Sequence, residues 1–384
     1  MGRAMPRSRL RRVPVVRADQ RLVLDVVGIL GRQYVRATAG VFQGRAMDVA
    51  ALPAKRSGPQ AGRLVASGSG GQVMKTLGQS VSSQERQLEA AVRSIEGWQG
   101  RQVAYEPVSG GISNTNWRVE VEGADTAYFF KVPGVGTEMF IDRQTAHEAS
   151  VKAAQTGYGA PVFAFLEAYG VEVFEFMEGW RASSNHDFLQ RDIRHGALHG
   201  LKAFNDQPLL KQTKTVFDMI AEHQRQVAEL NGLKPQDDDW LCLQYQRAKQ
   251  ALQASGIDLA PCMNDTLAGN FMLNAQRQIR LVDFEYASNN DRHYELALWF
   301  GEMFFSDEME LALIEDYFGH VSAQTIARIK LNKALADLKW STWAMVQHAV
   351  SQLDFDFYKY GAWKHMRARS IINDSQWETW LRHA

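Results

Sequence analysis

Three oxygen-bearing side chains in the second half of the chain are spaced for chemistry. Asp265 and Asn270 stand five residues apart with Gly269 between them, and Asp283 follows at the end of the apolar run 279–282. The apolar pieces 271–273 and 281–282 flank a polar stretch, so a short hairpin would set Asn270 beside Asp283. An amide carbonyl next to a carboxylate offers hard oxygen ligands to magnesium, an ion that keeps most of its waters. Asp265, offset by its loop, is placed to accept a proton from a hydroxyl aligned on a phosphate. The expected chemistry is phosphoryl transfer to an alcohol.

Asn264-Asp265 with Asn270, and the run Val282-Asp283-Phe284-Glu285-Tyr286-Ala287-Ser288, resemble the choline/ethanolamine kinase branch of the aminoglycoside-phosphotransferase-like kinases. The resemblance extends over about residues 82–375. It implies an α+β, bilobal protein-kinase-like fold with a small antiparallel-sheet N-lobe and a mainly helical C-lobe. It also implies transfer of the γ-phosphoryl group of ATP to an amino alcohol, with Asp265 as catalytic base and Asn270 and Asp283 holding Mg2+. One residue departs from the pattern: Met263 stands where the family usually has a histidine that supports the loop backbone. That bears on loop rigidity more than on proton transfer.

Other positions are read in the same frame. The stretch 109–116 (SGGISNTN) is small, polar and glycine-rich, so its backbone can approach phosphates, although no G-K-[ST] of a Walker loop follows. The resemblance lays it over the nucleotide, with Gly110, Gly111, Ser113, Asn114 and Thr115 as contacts. Lys131 is a lone cation in the apolar strand 128–132, where it needs an anion. In the kinase fold it would grip the α- and β-phosphates with Glu148 as its helical partner, Glu138 being a rival. Backbone near 175–177 would meet adenine.

Trp340 and Trp343 are three apart on one expected helix, so both rings can face one spot. A trimethylammonium group donates no hydrogen bond, and aromatic faces can hold it. The family's choline site uses a Trp-x-x-Trp pair and a downstream tyrosine, which match Trp340, Trp343 and Tyr360, with Tyr358 close by. Rings at this spacing also suit a hydrophobic core. Asp291 or Glu295 could add negative field for the cation, or simply be solvated. The expectation is a cytoplasmic kinase making phosphocholine from choline. Ethanolamine, thiamine or an aminoglycoside are alternative acceptors, and a non-catalytic pseudokinase that binds nucleotide is the alternative of another class. No metal is assigned to the histidines or to Cys242 and Cys262.

Elements must hold these residues in place. A helix is expected over 82–98 from apolar residues at 88, 92 and 95, although Ser83 followed three positions later by Arg86 makes no capping box. Strands are expected at 102–108, 116–121, 127–132 and 171–177, a helix near 143–154, and strand-like pieces at 271–273 and 279–282 within an otherwise helical remainder. The division is an extension over 1–73, an N-lobe over 74–178 and a C-lobe over 179–384. The 384 residues carry 43 basic and 43 acidic groups. Residues 1–73 hold 13 of the basic groups but only 3 acids, and read as a basic, glycine-rich tail that is disordered or lies upstream of a true start at Met74. The remainder is therefore acidic, which suits a cationic small molecule better than nucleic acid. No apolar run is long enough for a membrane span.

Overall fold

The computed structural model describes residues 74–109, 114–134 and 141–384. A short strand β1 (Lys75–Thr76) precedes helix α1 (Ser83–Arg93). The helix does begin with a capping box, one residue earlier than the spacing from Ser83 tests. The Ser82 hydroxyl accepts the Glu85 N–H at 3.1 Å, and the Glu85 carboxylate accepts the Ser82 N–H at 2.9 Å.

Strands β2 (Val103–Val108), β3 (Asn114–Val121), β4 (Tyr128–Pro133), β5 (Val162–Leu166) and β6 (Val171–Glu175) complete a six-stranded antiparallel sheet in the order β1-β2-β3-β4-β6-β5. Strand β5 escapes the sequence reading because its VFAFL run is uniformly apolar, without the alternation that marks a half-buried strand. Alternation across β3 and β4 sorts the side chains. Trp117, Val119, Phe130 and Val132 join Leu88, Ala91 and Val92 of α1 in one buried cluster. Lys131, between Phe130 and Val132, takes the other face. Helix α2 (Arg143–Gln155) lies between β4 and β5 in sequence.

After β6 the chain turns helical. A three-stranded sheet, β10-β9-β7, pairs β7 (Trp180–Ala182) with β9 (Phe271–Asn274) and β9 with β10 (Ile279–Leu281). A ribbon joins β8 (Leu259–Cys262) to β11 (Ser288–Asp291). The helices are α3 (Arg191–Asn205), α4 (Val216–Glu229), α5 (Asp238–Ala254), α6 (Arg292–Met303), α7 (Asp307–Phe318), α8 (Ala323–Val350), α9 (Phe357–Ile372) and α10 (Trp377–His383). The 28-residue α8 is central and packs against α4, α6, α9 and α10. Its approach to α9 is close at Gly361, where a Cβ would collide with the Met345 methyl and lie 3.0 Å from the Ala344 Cβ and 3.2 Å from the Ser341 carbonyl. Among the described residues no helix is long and apolar enough to cross a membrane.

Candidate active site

The β9–β10 hairpin does what its sequence requires. The Ile279↔Leu273 and Leu281↔Phe271 register brings the chain back so that the Val282 N–H donates to the Asn270 carbonyl at 3.0 Å. The next residue, Asp283, has φ +68°, a left-handed conformation uncommon without glycine. The turn sends its carboxylate to Lys131 of β4, whose Nζ lies 2.6 Å from Oδ1. Asn270 anchors itself by donating from Nδ2 to the Asp265 backbone carbonyl at 2.8 Å. That orientation leaves the amide oxygen, with the second oxygen of Asp283, as a hard donor pair of the kind magnesium takes. The donor set fits the ion.

Asp265 is held by its neighbours in the β8–β9 loop. Asn264, also left-handed at φ +59°, donates from Nδ2 to the Tyr286 carbonyl at 2.9 Å and to Ser288 Oγ at 2.8 Å, and its amide oxygen accepts from Asn290 Nδ2 at 2.8 Å. The Met263 and Asn264 N–H groups both donate to buried Glu295 of α6, at 2.6 and 3.0 Å. Glu295 thus supports the loop backbone beside Met263. Asp291 is committed as well, to Arg328 and to the His293 N–H. Burial, with the nearby Asp283 charge, pushes the Asp265 carboxyl up to about 7, opposed by Lys339. A carboxyl with that value exchanges protons near neutrality, as a general base should.

Lys131 is a largely buried cation of the site. Burial alone would weaken its hold on the proton, but the Asp283 and Glu285 carboxylates outweigh that and raise it above the usual lysine range. Its acidic partners are therefore Asp283 and, at 3.3 Å, Glu285. The expected partner, Glu148, points elsewhere. It pairs with Lys152 one turn along α2 at 2.9 Å and accepts the Lys211 N–H at 2.9 Å. The preceding residue, His147, takes the side of α2 that meets Glu172 of the sheet, at 3.1 Å. A step of one residue rotates a helical side chain by about 100°, which carries Glu148 off that side.

Among the loop residues, Asn114 reaches the site and donates to Glu285. Thr115 is opposite Val132 in the β3–β4 register, on the Trp117 side of the sheet and away from Lys131, so the sheet does not aim it at phosphates. Gly110, Gly111 and Ser113, like Glu138, lie outside the described residues. At the expected adenine edge the Glu175 and Phe176 N–H groups are already given to the Pro161 and Ala127 carbonyls, at 3.0 and 2.8 Å.

Trp340, Trp343 and Tyr360 converge and are buried. The Trp340 and Trp343 rings are 5.2 Å apart between centroids, and Trp343 and Tyr360 6.3 Å. Tyr358 is exposed, so Tyr360 is the tyrosine of this group. Tyr286, quoted above only as part of a motif, adds a fourth ring 5.4 Å from Trp340. Core and cage are not exclusive here, because the same rings belong to the cluster around α8. Beneath them Glu302, Asp337, Lys364 and Arg367 form a buried ion network, and Glu302 adds to the field that raises Asp265. The sequence reading also missed a histidine spacing. His195 and His199 are one turn apart on α3 and meet Asp316 of α7 at 2.6 and 3.3 Å, tying the two helices together.

A family model described as choline/ethanolamine kinase matches residues 105–317. The chain is 30% identical over 119 residues to a probable ethanolamine kinase A of Dictyostelium discoideum, a match covering 26% of this chain and 34% of that one, so it spans about a third of that relative's length. Among solved structures, a choline/ethanolamine kinase family protein from Mesorhizobium loti superposes with a TM-score of 0.65 at 23% identity, covering 78% of this chain and 97% of that one. Choline kinase LicA from Streptococcus pneumoniae gives 0.61 at 22%, with coverages of 76% and 99%. These likenesses show the protein-kinase-like fold expected from the motifs, with its antiparallel sheet followed by a mainly helical region.

Proposed function

The chain belongs to the choline/ethanolamine kinase family, and we propose that it transfers the γ-phosphoryl group of ATP to the hydroxyl of choline, giving phosphocholine and ADP. Asp265 accepts the hydroxyl proton as the oxygen attacks phosphorus. Its value near 7 lets it hold that proton and release it afterwards. Lys131, fully charged, gives the phosphates a fixed cation, and Asn270 and Asp283 would hold magnesium, which neutralises phosphate charge when bound. Glu295 and Asn264 keep the base in position. Phosphoryl transfer asks the protein mainly for such placement and charge.

One observation carries the choice of choline. Beside Asp265 stands a wall of four rings, and the cation resting on it, Lys339 Nζ, has no hydrogen-bond acceptor among the described residues. A pocket that holds positive charge on ring faces suits a quaternary ammonium, which has no N–H to satisfy. Ethanolamine is the second reading, supported by the name of the Dictyostelium relative. Its ammonium would bring three donors to a wall poor in acceptors. Trp340→Ala separates the two. For a choline kinase it should raise the KM for choline roughly tenfold while changing kcat little, since about 0.5–2 kcal/mol is at stake in each ring contact. An unchanged KM for choline would remove the cage from the account.

A further inference from the structure

Lys339 immediately precedes Trp340 on α8, and only 1% of it is exposed. Its Nζ stands 3.1 Å from the centre of the Trp340 ring and 4.8 Å from that of Tyr286. An ammonium is strongly hydrated and has three protons to share, so a dry position with no acceptor is unfavourable for it. Ring faces and carboxylate charge hold it there. Asp265 from the β8–β9 loop and Glu302 from α6 attract it, while Lys364 from α9 and Lys214, just before α4, repel it. His223 of α4 is kept neutral by burial, its value pushed down to about 3. Burial is the largest influence on Lys339 itself and lowers it to about 7.

We propose that Lys339 is a tethered competitor for the acceptor: its ammonium holds the aromatic pocket when the pocket is empty, and the ammonium of the acceptor must displace it to bind. The inference rests on the choline reading given above and deepens it. A quaternary ammonium gains the ring faces without leaving any N–H unmet. The displaced lysine, on a flexible four-carbon stem, regains the hydrogen bonds it lacked. The exchange keeps one positive charge beside Asp265 whether or not substrate is present. It also makes Lys339 a determinant of acceptor affinity and selectivity, since a neutral alcohol of similar size has no charge with which to replace it.

Calorimetric titration of the full-length protein with choline, and with tetramethylammonium as a cation that cannot react, tests the exchange. Wild type, Lys339→Met and Lys339→Arg would be compared at about pH 6 and about pH 9, on either side of the lowered lysine value. At the lower pH the methionine variant should bind both cations on the order of tenfold more tightly than wild type, the arginine variant no more tightly. At the higher pH wild type should move towards the methionine variant, and the arginine variant, which stays charged, should not follow. Asp265 titrates in the same field, so any slope common to all three proteins is its own. A methionine variant that binds choline no better than wild type, with magnesium-ATP binding intact, overturns the inference and leaves the choline reading standing. If no protein of the three binds either cation while all bind magnesium-ATP, both fall together. Should the methionine variant fail to fold, equal slopes for wild type and the arginine variant overturn the inference unaided.

Discussion

At the scale of single residues, the site depends on side chains whose surroundings oppose their ordinary charge. Glu295 shows this most simply. Burial pushes its carboxyl from 4.5 up to about 7, against the pull of the two backbone N–H groups it accepts. Its proton is therefore held more tightly in the folded protein than in the unfolded one. The stability it contributes is full below the ordinary value of 4.5 and is lost as pH rises through about 7. Glu295→Gln, neutral throughout, should lose that decline, so melting temperature followed across this range should fall less steeply than in wild type. Parallel profiles would mean that the carboxyl does not titrate there. That Asp265, Asn270, Asp283 and Lys131 gather in one place was legible in the sequence, because local spacing or an isolated charge in an apolar strand marks them. Glu285, Glu295 and Lys339 were not, because their roles depend on contacts between distant segments, such as the bonds from α6 to Met263 and Asn264.

At the scale of elements, the helix pair α8–α9 brings together the rings proposed to hold the acceptor, with Trp340 and Trp343 on one member and Tyr360 on the other. Their separation is fixed at Gly361, where an added methyl would press on Ala344 and the Ser341 carbonyl. Gly361→Ala should force the helices apart and destabilise the protein by about 1–3 kcal/mol, as overpacking generally does. The Tyr360 ring would draw back from Trp343, so the KM for choline should rise as well. Chemical denaturation and steady-state kinetics read the two effects, and a variant with unaltered stability would show that the interface relaxes without strain. Elements with alternating or helical patterns were readable from the chain. The uniformly apolar β5 and the two-residue β1 were not, because nothing local distinguishes them. Glu148 failed for a related reason, since presence on a helix does not fix which way a side chain turns.

At the scale of the molecule, a sheet that supplies Lys131 meets a helical body that supplies Asp265, Asn270, Asp283 and the rings. The fold was legible from the order of strands and helices and from the motif resemblance. The ring cluster behind the proposed acceptor was less so, because which rings converge and what rests on them depends on contacts between distant segments. The whole arrangement is summed up in one reaction, so the most direct test is steady-state ADP release by the full-length protein with magnesium-ATP. Choline, ethanolamine, thiamine and kanamycin would be offered in turn, with Asp265→Asn as the blank. Turnover should be greatest with choline and lower by about 10²–10⁴-fold in the blank, the range general-base catalysis contributes. Equal ADP release with and without choline, or release that survives Asp265→Asn, would contradict the proposed reaction.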